Sequence, residues 1–210
     1  VDYKKIIKYG FWLVAILLVI NAFLNGGQDE IELTLDIDFD KVIEHEVVEV
    51  EETVEDNMVK YQYTVLLLEE SSEKEIKETV KLLAQEADYE KDYSALVIDL
   101  FANEEFIGRT SYTLGRAIHA PEGDLSLAAE VEPGQHHQFE FAWDILNKDW
   151  EQQPEEKELE IWAYWHDLKE IENKSELEAS ERTREEYDLT QQELEDILQE
   201  QQLWQLMDIQ

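Results

Sequence analysis

The residues best suited to chemistry lie between Tyr112 and Asp124. Tyr112-Thr113-Leu114-Gly115 and Arg116 come first, followed by His119 and Ala120-Pro121-Glu122-Gly123-Asp124. An imidazole near a guanidinium and a carboxylate is an acid–base set: His119 can exchange a proton near neutral pH, and Arg116 can hold an anion. Hydrolysis by such a set also needs a nucleophile, and neither Ser111 nor Ser126 stands in a G-x-S-x-G turn. Gly115, Pro121 and Gly123 are equally what a tight loop needs for its backbone alone. Binding groups gather on loops held by a rigid sheet. Tyr112, Gly115, Arg116, His119, Pro121, Gly123 and Asp124 therefore form one ligand-loop candidate, with no catalytic residue assigned.

Other constellations are weaker. Asp36-x-Asp38-x-Asp40 opens like a calcium loop, but the sixth and twelfth positions hold Lys41 and Val47 where glycine and glutamate are required. The solvated face of a strand explains it better. His136 and His137, with Glu132 and Glu140, supply metal-ligating atoms, yet adjacent residues on a strand point to opposite faces. Trp162, Trp165 and Trp204 could line a peptide or glycan surface; at helical spacing they read first as packing. Cysteine is absent, which excludes disulfides, thiolate metal sites and thiol nucleophiles. With no glycine-rich phosphate loop either, neither a metal nor a small-molecule cofactor is expected.

Charge narrows the partners. The chain has 52 acidic and 17 basic residues, net -35. Lys4, Lys5, Lys8 and Asp2 all precede residue 25, so the remainder carries net -37. Such a surface repels phosphate backbones, and nucleic acid is not an expected partner. Self-repulsion on this scale is best tolerated where salt screens it, so the acidity reads as halophilic or alkaliphilic adaptation.

These residues need a frame to hold them. The apolar run Tyr9–Leu24 follows three lysines and precedes Asp29, Glu30 and Glu32, the pattern of a single-pass anchor with its N-terminus cytoplasmic. We expect a basic stub at 1–8 and a transmembrane segment at 9–27. An acidic extracytoplasmic α+β domain should occupy 28–147, with a C-terminal helical region at 154–210. Cleavage of the run as a signal peptide, releasing a secreted domain, is the competing reading. Ile31 to Asp40 alternates apolar and polar residues strictly and predicts a strand. Residues 42–54 predict a second, with a bulge at Val47-Val48, and Met58–Leu68 a third. Ser72 and Glu75 make a capping box for a helix that should fade near Ala87. Ala95–Phe101, Thr110–Leu114 and the stretch holding Phe139, Phe141 and Trp143 complete the sheet. Beyond Pro154, Ile161, Tyr164, Trp165, Leu168 and Ile171 share a helical face that Leu159 and Trp162 widen. Thr190 and Glu193 cap a last helix after the charged stretch 172–186. The expected fold is α+β: an N-terminal transmembrane helix, a mainly antiparallel sheet with one packed helix in ββ-βαββ order, then C-terminal helices.

The segment YTLG at 112–115, then APEGD at 120–124, together with YTVLL (63–67), SALVIDLF (94–101) and DLTQQELEDIL (188–198), resembles a family of bacterial exported or membrane-attached proteins. That family is uncharacterised and is marked by a YTLG-x(4)-AP-x-G signature in a small α/β domain. The resemblance spans roughly residues 42–200; Leu125 departs from it, where an aromatic would follow the turn. It implies architecture and no activity.

Together these features lead us to expect a non-catalytic extracytoplasmic interaction module with a protein or envelope partner. The alternatives are an envelope hydrolase using carboxylates and a cation-responsive sensor. Screening of the surplus charge should raise the melting temperature as sodium chloride is added. A flat or falling melting curve would remove the halophilic reading. Calcium chloride at matched ionic strength separates screening from specific binding, because only a sensor gains more from calcium.

Overall fold

The computed structural model describes residues 34–55 and 57–208, so the expected stub 1–8 and anchor 9–27 lie outside the described residues. Among the described residues, no helix is long and apolar enough to cross a membrane. Alternating β-branched and aromatic residues build the first hairpin, β1 (His45–Glu55) and β2 (Met58–Leu67). Val47 pairs with Val65 and Glu49 with Thr64, leaving Val48 as the bulge that the change of phase predicts. Ser72 accepts from the Glu75 amide while the Glu75 carboxylate accepts from Ser72 N at 2.9 Å. This box opens α1 (Glu73–Glu90), which continues a turn past Ala87. The chain then returns as β3 (Ala95–Phe101), parallel to β2. A parallel neighbour requires a crossover, and α1 supplies it.

The sheet is completed by β4 (Gly115–Pro121) and β5 (Phe139–Ile145), in spatial order β1-β2-β3-β4-β5 with every other pairing antiparallel. The expected strand at Thr110–Leu114 is instead the approach to β4. Thr113 N and Leu114 N both donate to Leu100 O, and Thr113 Oγ1 accepts from Ala102 N at 2.9 Å. Those bonds close a turn at the end of β3 and delay the ladder to Gly115. On one face Ile76, Val80 and Leu83 of α1 pack over Val65, Leu96 and Ile98.

The described part of the alternating run before β1, from Thr34, does not form a strand either. Residues 34–38 are irregular and Phe39–Lys41 is a 3₁₀ turn. Its backbone is taken up by side chains of α1: Asp38 N donates to Glu78 at 2.9 Å, Ile43 N to Thr79 Oγ1 at 3.1 Å, and Lys81 to Asp36 O at 3.2 Å. Phe39, expected on a buried face, is 50% exposed. Asp38 pairs with Lys74 at 3.0 Å, and the acidic triplet stays exposed to solvent on a strap along α1 where a strand was expected.

Three helices follow: α2 (Glu156–His166), continued by a π turn at Asp167–Ile171, then α3 (Glu176–Tyr187) and α4 (Gln191–Leu206). Leu159, Trp162 and Ala163 of α2 join Phe101, Phe106 and Trp204 in a second core. Trp165 is not in it. It is half-buried, donating from Nε1 to Ser180 of α3 at 3.2 Å beneath Lys169. The π turn shifts the helical phase and leaves its last residue, Ile171, 69% exposed. Arg109 holds Asp167 through Nε and Nη2 at 2.8 and 2.7 Å. Lys148 donates to the Trp204, Gln205 and Met207 carbonyls, satisfying the C-terminal end of α4.

Trp162 therefore carries the packing. Trp162→Ala should cost about 3–5 kcal/mol in urea denaturation, the range for a truncated core aromatic. Trp165→Ala should cost about 1–2 kcal/mol, since it removes a half-buried ring and one hydrogen bond. Equal losses would place both rings in the core.

Candidate functional site

The seven candidate residues run along and around β4 and divide between two faces. The side chains of Tyr63, Leu96, Ala117, His119 and Phe141 point toward α1. The opposite, open face carries Gln62, Asp99, Arg116 and Asp144 on four successive strands. Tyr112 and Arg116 meet on this open face, whereas His119 lies across the sheet from them. Pro121 ends β4, and Gly123 and Asp124 form the turn beyond it.

On the open face Asp99, 2% exposed, is the buried anchor. Arg116 grips it with two nitrogens, Nη2 reaching Oδ2 at 2.9 Å, and Gln62 Nε2 donates to Oδ2 at 2.8 Å. The pair raises the Arg116 guanidinium above its ordinary range through the Asp99 hydrogen bond. Tyr112 lies under that guanidinium, 5.3 Å from ring centroid to Cζ, and its hydroxyl donates to Asp144. This bond to a carboxylate raises the phenol of Tyr112. Asp99, Gln62 and Asp144 were not among the expected site residues. The signal for Asp99 is its position as the lone acid inside the apolar run ALVIDLF, where a charge demands a partner.

Toward α1, Tyr93 is fully buried and its hydroxyl meets His119 Nδ1 at 2.9 Å. His136 stacks on the Tyr93 ring at 4.0 Å, donates from Nε2 to Tyr93 O at 2.9 Å, and meets Asp88 through Nδ1. Both His136 nitrogens are thus engaged with protein, and Glu140 sits on the other face of β5. Among the described residues, no group of three or more His, Asp or Glu is placed to hold a metal. His119 Nε2 is buried and has no hydrogen-bond partner among the described residues. Burial, reinforced by His136, pushes His119 down to about 4. Burial also lifts the Tyr93 hydroxyl well above the phenol range. Both are therefore neutral packing groups at pH 7.

Backbone demands explain the glycines. A Cβ on Gly115, at φ +144, would stand 2.4 Å from Asp144 O. Glu122 and Gly123 both have positive φ, and Asp124 N donates to Pro121 O at 2.9 Å to close the turn. Asp124 then caps Ser126, accepting from its amide at 2.8 Å. A hollow lies elsewhere, at the carboxyl ends of β2 and β3. It is an open cleft of about 460 Å³ lined by Leu66, Glu69, Glu70, Asn103, Glu104 and Trp150 among others.

No protein family, curated protein or solved structure matches this chain.

Three outcomes follow from the geometry. Arg116→Met strands the Asp99 carboxylate; the cost should sit at the low end of about 3–5 kcal/mol, because the Arg116 side chain keeps 35% exposure. Tyr112→Phe should cost about 1 kcal/mol or less. His119 is depressed in the fold, so the unfolded chain binds the extra proton. Its contribution is complete above pH 6.5 and lost as pH falls toward about 4, by roughly 3 kcal/mol in total. His119→Gln keeps a partner for Tyr93 and should flatten that part of the stability profile relative to wild type. Parallel profiles for the two proteins would show that His119 is already protonated in the fold.

Proposed function

We propose that the chain is a membrane-anchored extracytoplasmic acidic module that binds a protein or envelope partner and performs no catalysis. The observation that carries this reading is the placement of its chemically capable side chains. Arg116 is held by Asp99, Tyr112 by Asp144 and His119 by Tyr93, so each serves the fold. A two-carboxylate hydrolase needs its acids set apart across a substrate, with water admitted between them. Asp99 is buried in a bidentate pair, and Arg116 lies between it and Asp144 in the strand register. What faces solvent is Glu140 and Asp144 of β5 and an edge strand bearing Glu46, Glu49, Glu51, Glu52 and Glu55. The lysines before the apolar run and the acids after it support an N-in, C-out orientation. The resemblance through the YTLG-x(4)-AP-x-G segment agrees with an exported or membrane-attached setting.

Protease added to intact spheroplasts should digest residues 30–210, and protection until lysis would reverse the orientation. Tagged full-length chain recovered from solubilised envelope should bring down a fixed partner that high salt releases. Recovery of the chain alone across salt concentrations would remove the interaction reading.

A further inference from the structure

β1 is an eleven-residue strand at the edge of the sheet, paired on one side with β2 and, among the described residues, with no strand on the other. An edge strand presents alternate backbone N–H and C=O groups outward, ready to pair with another extended chain. Beyond the bulge its side chains divide between two faces, with Thr53 among the glutamates and Glu52 among the valines, where Glu52 is engaged by the Tyr61 hydroxyl. Glu49, Glu51 and Glu55 pair with Thr64, Gln62 and Met58, which places them on the open face. Val50 and Val54 pair with Tyr63 and Val59, on the face toward α1, yet α1 does not cover them and they are 42% and 60% exposed. β1 has five glutamates and no lysine or arginine. A second copy of β1 would set glutamate against glutamate, so the charge disfavours self-pairing.

We propose that the free edge of β1 accepts an added strand from a partner polypeptide whose residues alternate between basic and apolar. Basic side chains at every second position would lie beside Glu49, Glu51 and Glu55, and the intervening apolar ones would cover Val50 and Val54. The backbone ladder supplies attachment, and the alternation supplies selectivity. The bulge at Val48 sets the boundary: continuous pairing is open from Glu49 to Glu55, and the twist at the bulge turns the strand away before it. This assignment rests on the interaction reading above and names its site and the chemistry of its partner.

The probe is a synthetic nine-residue peptide alternating lysine and valine, titrated into the full chain and followed by fluorescence anisotropy. Two controls keep its charge: the same composition with lysines and valines in separate blocks, and an alternating version N-methylated at every second amide. Both should bind at least tenfold more weakly than the alternating peptide. Glu49→Lys/Glu51→Lys, on an exposed stretch, should keep the wild-type circular dichroism and lose binding by a similar factor. Equal binding of all three peptides would reduce the effect to diffuse electrostatics and overturn the proposal. A chain that dimerises through β1 in sedimentation, without taking up the peptide, would overturn it too. If the charge-reversed variant still recovers the envelope partner, β1 is not the site while the interaction reading stands; if wild type recovers none, the interaction reading itself falls.

Discussion

A carboxylate on the middle strand of the sheet has to be neutralised where it sits. Asp99 is buried between β2 and β4, and removing a charge from water without a partner costs more than most other choices a small domain can make. Arg116 meets that demand from β4, directly opposite in the register, and Gln62 completes it from β2. One slip of β4 by a residue would carry Arg116 to the other face, leaving Asp99 stranded and His119 on the open side. The ion pair therefore fixes which side of β4 faces α1. With it come the burial of His119 beside Tyr93 and the close approach of β5 at Gly115.

The two faces then take different parts. The covered face holds the apolar core and its polar knot of Tyr93, His119 and His136, closed against α1. The open face is capped at one end by the short turn Leu125–Glu130 over Ala95 and Ala120, and at the other by Phe106 and the C-terminal helices. Between these ends the polar row is already satisfied internally. Surplus negative charge is displaced to the edge strand and the helix exteriors, where water and salt can screen it.

Much of this was legible in the sequence because the signals were local. Period-two alternation marked β2 and β5, the apolar run marked β3, and the Ser72/Glu75 and Thr190/Glu193 boxes placed two helix starts. The doubled valine at 47–48 gave the bulge. What escaped depends on distant partners. Nothing around Asp38 and Ile43 announces that Glu78 and Thr79 will occupy their backbone donors, so residues 34–41 became a strap. Arg116 was visible as a cation, but its claim by Asp99, and the division of the candidate residues between two faces, follow only from register. The exchange of Trp165 for Trp162 as core residue turns on how α2 is rotated against Phe106 and Trp204, which spacing alone does not specify. α3 hides inside a charged stretch because it buries little besides Ala179 and Thr183.

The parallel ladder between β2 and β3 also sets an order in time. β1 and β2 meet through a short turn, but β2 finds its second neighbour only after α1 has been made: Val59 N donates to Ser94 Oγ, 35 residues further on. The entropy of closing so long a loop must be met before that ladder rewards it, whereas the hairpin and α1 can form from local contacts. A ribosome adding about 5–20 residues per second leaves the apolar side of the hairpin without its helix, and β2 without its inner neighbour, for seconds. Through that interval the glutamates of β1 act on the nascent chain, keeping one unfinished hairpin from joining the next.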